Sequence, residues 1–176
     1  MGIAGYAPFM PTADDHFRAW LDAIGMTDDP ELAGTPERVT ELFREFVPGP
    51  APEPSLFDAG GADPVVLRDL PFYSLCAHHL LPFFGTATIA YVPHGRVAGL
   101  GWFARVLRHT ARRPQLQERL GGQLADHIVN TVGVENVLVR LTARQLCMEM
   151  RGVESPGEVV TLALRGPRAE TLLALA

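Results

Sequence analysis

From Pro64 onward the chain switches hydrophobic period twice, and the order of those switches restricts the fold more than any other feature. "VVLRDLPFYSL" (65–75) and "FGTATIAYVP" (84–93) are rich in β-branched and aromatic residues. In the second, Thr86, Thr88 and Ala90 alternate with Ala87, Ile89 and Tyr91, which is the two-residue period of a strand. "GWFARVLRHTARR" (101–113) and "QLQERLGGQLADHIVNTVG" (115–133) then follow the helical period, separated by Pro114. In the second of these Leu116, Leu120, Leu124, His127, Ile128 and Val132 share one face; the Gly121-Gly122 pair costs it roughly 2 kcal/mol, so it needs tertiary support. "NVLVRLTARQLCMEMRGV" (136–153) and "GEVVTLALRG" (157–166) return to alternation. Strands, two helices, then strands predict an α+β fold, an antiparallel sheet with helices on one face.

Ahead of this lies a helical segment. Thr12, with Asp15 three residues on, caps a helix carrying Phe17, Trp20, Leu21 and Ile24 and stopping at Gly25. "GTPERVTELFREF" starts a second helix, with Thr35 as N-cap, Pro36 in the first turn and Val39, Leu42, Phe43 and Phe46 on its apolar face. "PGPAPEPS" and "DAGGADP" read as a loop or linker. The expected organisation is an N-terminal helical segment with linker over 1–63 and an α+β domain over 64–176.

Composition excludes several function classes. A net charge of −5 with no basic block argues against nucleic acid. No apolar run approaches the roughly 20 residues of a membrane helix, and "MGIAGYAPFMPTADD" lacks the basic and apolar regions of a signal peptide. The expected compartment is the cytoplasm, without a membrane partner. In a reducing compartment a disulfide between Cys76 and Cys147, the only two cysteines, is not expected. They are either unrelated core residues or two ligands of one metal.

The stretch "LCAHHLLPF" (75–83) sharpens that choice, because it sets Cys76, His78 and His79 inside an otherwise apolar run. On an extended strand Cys76 and His79 point to opposite faces, so convergence on one ion requires a turn. Zinc suits thiolate and imidazole, Cys147 is the natural third ligand, and three protein ligands leave a position open for water. The alternative is a set of satisfied core histidines and inert cysteines. His16, His94, His109 and His127 carry surface or packing expectations only.

Taken together, "FYSLCAHHLLPFFGTATIAYVP", "ARRPQLQERL" and "CMEMRGV" resemble GTP cyclohydrolase I, with order and spacing agreeing from about Thr35 to Gly166. The resemblance implies the T-fold, an antiparallel four-stranded sheet with two helices on one face, and assembly into ring-shaped homo-oligomers, typically decamers, with sites at subunit interfaces. It implies Cys76, His79 and Cys147 as zinc ligands and His78 as general acid/base. Gln117 and Glu118 match the "QE" whose glutamate holds the guanine edge, and Arg38, Arg105 and Arg151 stand at phosphate-facing positions. The implied chemistry is attack of zinc-activated water on C8 of a purine, opening of the imidazole ring and loss of formate.

The departures from the family are chemical. Ala77 replaces a glutamate of C-E-H-H, "GLSK" becomes "GLGW" at Gly101 and Trp102, the lysine of "TPxRVAK" becomes Glu41, and the second catalytic histidine becomes Gln145. Each lost contact to a phosphate costs on the order of 1.5 to 3 kcal/mol, and Glu41 adds repulsion. Trp102 offers a flat apolar surface to a base or sugar, and Gln145 cannot shuttle a proton near neutrality. The expectation is a zinc hydrolase opening a guanine-type heterocycle with fewer phosphates than GTP. Its alternatives are a genuine GTP cyclohydrolase I making dihydroneopterin triphosphate and a non-catalytic zinc-containing purine- or pterin-binding paralogue.

Overall fold

The computed structural model describes residues 11–26, 29–59 and 63–176; the first ten residues, read above for a targeting signal, lie outside it. The chain divides into two compact units, Met1–Val47 and Pro48–Ala176. In the first, α1 (Ala13–Ala23) opens on the expected capping box, with the Thr12 side chain accepting from the Asp15 amide and the Asp15 carboxylate accepting from the Thr12 amide. Gly25, at φ 75°, follows its end. α2 (Thr35–Glu45) begins one residue before the expected first helical position, with Gly34 as the capping residue and Pro36 in its first turn. Arg18 on α1 and Glu37 on α2 form an ion pair at 2.7 Å.

The second unit is α+β. Its main sheet has the order β5-β2-β3-β6-β7, built from β2 (Val65–Cys76), β3 (Pro82–Tyr91), β5 (Pro114–Gln115), β6 (Val137–Gln145) and β7 (Glu158–Arg165). The four long strands pair antiparallel, as expected. The two-residue β5, which sequence reading treated only as a helix break, adds to β2 in parallel, setting Leu75 opposite Pro114 and Cys76 opposite Gln115. Pro71 is tolerated within β2 because at that height β2 has a ladder partner on the β3 side only.

Alternation decides what each face meets. Phe72, Phe83, Ile89, Tyr91, Val139 and Leu141 turn to one side and form the core with Phe103, Val106 and Leu107 of α3 (Leu100–Ala111) and Leu120, Leu124 and Ile128 of α4 (Gln117–Ile128). At Gly121 a Cβ would meet Leu141 and Ala163 at 3.6 Å, an ordinary contact. Burial of Leu120, Leu124 and Ile128 against the sheet supplies the tertiary support that the glycine pair requires. On the other face Ala90 and Leu138 pack with Leu172 of a C-terminal 3-10 helix (Ala169–Leu175).

The Pro-rich stretch is loop up to Ser55, but Leu56–Asp58 then forms β1 and pairs with β4 (Arg96–Ala98). The indole Nε1 of Trp102 donates to the Pro52 carbonyl at 2.7 Å, so this segment is anchored on α3. Among the described residues no helix is long and apolar enough to cross a membrane.

Candidate active site and metal centre

The turn that the two-sided strand geometry required lies between β2 and β3. Cys76 ends β2, Ala77–His79 turn, and the amides of Cys76 and Leu80 donate to the carbonyls of Leu81 and Cys76, both at 2.8 Å. Leu80 takes φ 56°, and the Ala77 amide donates to the Gln115 carbonyl at 2.9 Å. β5 is in turn held by Arg119, which donates to the Gln115 side chain and the Pro114 carbonyl. The parallel two-residue strand therefore fixes where the turn begins.

Cys147 arrives from the other end of the sheet, and here the structure corrects the expected strand. β6 stops at Gln145, and Cys147 sits on α5 (Leu146–Glu149), a single helical turn. Arg144 and Glu149 form a two-pronged ion pair around that turn, and the guanidinium holds the Glu149 carboxyl below its ordinary value.

Cys76, His79 and Cys147 place their ligand atoms within 4.8 Å of one another. Cys76 Sγ stands 4.0 Å from His79 Nδ1, against about 3.6 Å expected between a sulfur and a nitrogen on one tetrahedral zinc ion. Convergence by no more than about 1 Å brings all three ligand atoms to tetrahedral spacing, so these residues could hold a metal ion. Burial, followed by the neighbouring Cys76 thiol, pushes the Cys147 thiol above its ordinary value.

Beside this trio is a cavity of about 240 Å³ lined by Cys76, His78, Gln115, Leu116, Gln117, Glu118, Gln145, Cys147 and Val159. His78 and His79 set their rings edge to face, with centroids 6.3 Å apart, so His79 belongs to the trio while His78 lines the cavity. Glu118 is exposed in the first turn of α4, where a carboxylate suits the helix dipole. Gln117 is buried and its amide is committed to the protein, with Nε2 donating to the carbonyls of Leu141 and Val159 and Oε1 accepting from Gln145. Gln117 thus lines the cavity while its side chain braces Gln145.

Trp102 is the clearest correction. It is 1% exposed, lies edge to face with Phe103, stacks on His127 and spends its N–H on Pro52. Helix phase sends this side chain into the core, so it offers no surface to a base or sugar. Arg105 is exposed on α3, its guanidinium over Gly101. Arg151 is exposed and its Nη1 donates to His79 Nε2 at 2.8 Å. Arg38 belongs to the N-terminal unit, on α2, with its guanidinium against Gly34. Gln115, Leu116 and Val159 were missed as cavity residues. Gln115 and Leu116 stand within the quoted "ARRPQLQERL", whereas Val159 becomes visible only once β6 and β7 are in register, with Val159 opposite Ala143.

Residues 13–171 match the model of the family described as GTP cyclohydrolase I. The chain belongs to the GTP cyclohydrolase I family. Its relatives include the GTP cyclohydrolase 1 of Carboxydothermus hydrogenoformans, 45% identical over 85% of this chain and 82% of that protein. The GTP cyclohydrolase 1 of Pelotomaculum thermopropionicum is 44% identical over 85% of this chain and 84% of that protein. That of Geobacillus kaustophilus is 43% identical, again over 85% and 84%. Among solved structures, the apo archaeosine synthase QueF-Like superposes with a TM-score of 0.45 and 20% identity, covering 58% of this chain and 95% of that one. GTP cyclohydrolase I enzymes are hydrolases acting on the C–N bonds of cyclic amidines. In this member Cys76, His79 and Cys147 form a group that could hold a metal ion.

Proposed function

We propose that this protein hydrolyses the imidazole ring of a guanine-type heterocycle at C8, with zinc held by Cys76, His79 and Cys147, on a substrate carrying fewer phosphates than GTP. The observation that carries the reading is the convergence of Cys76, Cys147, His78 and Glu118 on one cavity. When bound, zinc supplies a Lewis acid that makes water nucleophilic near neutral pH. Glu118 accepts hydrogen bonds from the amino and ring N–H donors of the base. Each C8–N bond that breaks leaves a nitrogen in need of a proton, and the imidazole of His78 is the cavity group suited to deliver it near neutrality. Water adds to C8, the ring opens, and a second water releases formate.

The reduced phosphate requirement is supported by three residues. Where the family carries phosphate-facing lysines, this chain has Glu41 and Trp102, and the latter is in the core; Gly101 stands in place of a serine. Gln145 cannot replace an acid/base histidine, so rearrangement of the sugar and closure of a pterin ring are not part of the proposal. Assembly as a homo-oligomeric ring, a decamer, and a cytoplasmic setting belong to the same reading. The 45% identity to a GTP cyclohydrolase 1 favours a second reading, in which GTP itself is the substrate.

Formate release from guanosine, GMP and GTP separates the two. Turnover of guanosine or GMP well above that of GTP is expected, and efficient conversion of GTP to dihydroneopterin triphosphate would overturn the substrate assignment. His78→Ala is expected to keep its zinc and lose turnover; undiminished turnover would remove His78 from the chemistry.

A further inference from the structure

Gln117 is 3% exposed at the start of α4, and the orientation of its amide is fully specified by what surrounds it. Nε2 lies 3.2 Å from the Leu141 carbonyl on β6 and 2.8 Å from the Val159 carbonyl on β7. Only an NH2 group can face two carbonyl oxygens, so Oε1 has to point the other way. There it meets Nε2 of Gln145 at 2.6 Å. Gln145 must present its own NH2 to this acceptor, and its Oε1 is left for the cavity that the residue lines. Two backbone carbonyls thus dictate, through one buried amide, the polarity of a second amide at the site.

We propose that Gln145 offers the cavity a permanent hydrogen-bond acceptor, locked by Gln117, and that the ligand therefore donates an N–H or O–H at that point. Together with the Glu118 carboxylate this makes two side-chain acceptors in one small cavity, a pattern that selects a donor-rich ligand such as an aminated nitrogen heterocycle or its ribose hydroxyls. The inference rests on the reading of this cavity as the substrate site. A histidine at the same place would change from acceptor to donor on protonation; the amide does not titrate, so the contact keeps one character across the neutral range. Gln145 is a ligand-contacting residue in this scheme, and Gln117 is a positioning residue acting through it.

Calorimetric titration of the zinc-loaded protein with guanosine tests the arrangement. Gln145→Leu is expected to weaken binding about tenfold, the order of one hydrogen bond. Gln117→Leu is expected to weaken it about threefold, and the double variant to bind no more weakly than Gln145→Leu alone, because Gln117 acts only through its neighbour. Gln145→His should add a pH dependence of binding between about pH 6 and pH 8 beyond whatever the unaltered protein, which keeps His78 in the same cavity, already shows. Additive losses, or undiminished affinity in Gln145→Leu, overturn the proposal. A ligand-free measurement keeps the lock testable should guanosine fail to bind or a variant fail to fold. By NMR, the Nε2 protons of Gln117 should exchange with solvent at least about tenfold more slowly than those of exposed Gln123; equal rates overturn the lock, whereas slow exchange without guanosine binding retains it and removes only the guanine-type substrate.

Discussion

Arg151 Nη1 donates to Nε2 of His79 at 2.8 Å, while the other ring nitrogen, Nδ1, faces Cys76 Sγ at 4.0 Å. Arginine has no acceptor, so a neutral His79 ring carries its proton on Nδ1, toward the thiols. A metal ion taken up at Nδ1 must displace that proton with a guanidinium on the far side of the ring, whereas the outer partner of a ligating histidine ordinarily accepts from it. Arg151→Met is therefore expected to tighten Zn2+ binding about tenfold, roughly 1.4 kcal/mol, in competition with a chromophoric chelator. Equal or weaker binding would show that Arg151 does not oppose the metal.

Restoring the family's lysine at position 102 should not restore a phosphate contact. Trp102 fills the core beside Phe103 and His127 and donates to Pro52, and a large aromatic at such a place is worth about 3 to 5 kcal/mol. Trp102→Lys is expected to cost at least about 3 kcal/mol in urea denaturation and to bring no gain in GTP turnover. A stable variant with improved GTP turnover would contradict the burial.

Gly85 permits β3 and β6 to lie side by side. A Cβ on it would come 1.9 Å from the Thr142 carbonyl oxygen and 2.7 Å from the Ala143 Cα, both backbone atoms that cannot step aside. Gly85→Ala is expected to yield insoluble protein or to lose more than about 3 kcal/mol. Gly49→Ala, where nothing lies within 4 Å, should stay within about 0.5 kcal/mol of the parent.

Asp126 on α4 and Arg165 on β7 pair through two hydrogen bonds, and the guanidinium holds the aspartate below its ordinary value of 3.8. A depressed carboxylate contributes stability above its unfolded value and loses it as pH falls through the folded one. With the aspartate side chain 55% exposed, screening limits the pair to about 0.5 kcal/mol. Asp126→Asn should lower neutral-pH stability by that amount and leave stability unchanged in strong acid, as read from denaturation midpoints across pH. A deficit that persists in acid would assign the effect to packing instead.

The order of elements, the two N-terminal helices, the capping box at Thr12 and the turn at Ala77–His79 were legible in the chain, because each is a local consequence of hydrophobic period, capping residues or strand alternation; the cap expected at Thr35 was not formed, since that residue is already helical and Gly34 precedes it without a side-chain bond. The cysteine-histidine-cysteine trio was legible through the resemblance to GTP cyclohydrolase I, while strand alternation showed only that a turn must precede any convergence of Cys76 and His79. Even the burial of Trp102 had a signal: positions 102, 103, 106, 107 and 110, all buried on α3, follow the helical period, and that period, not the correspondence of position 102 with a family lysine, decides where the side chain goes. What the tertiary structure alone decided is how groups distant in sequence face one another. The parallel β5 against Cys76, the helical turn that carries Cys147, the entry of Val159 into the cavity and the lock of Gln145 by Gln117, 28 residues away, depend on strand register and on the depth at which α4 sits on the sheet. No local pattern encodes those quantities, since a hydrogen bond between two amides is specified by position and direction in space and not by the identity of either residue.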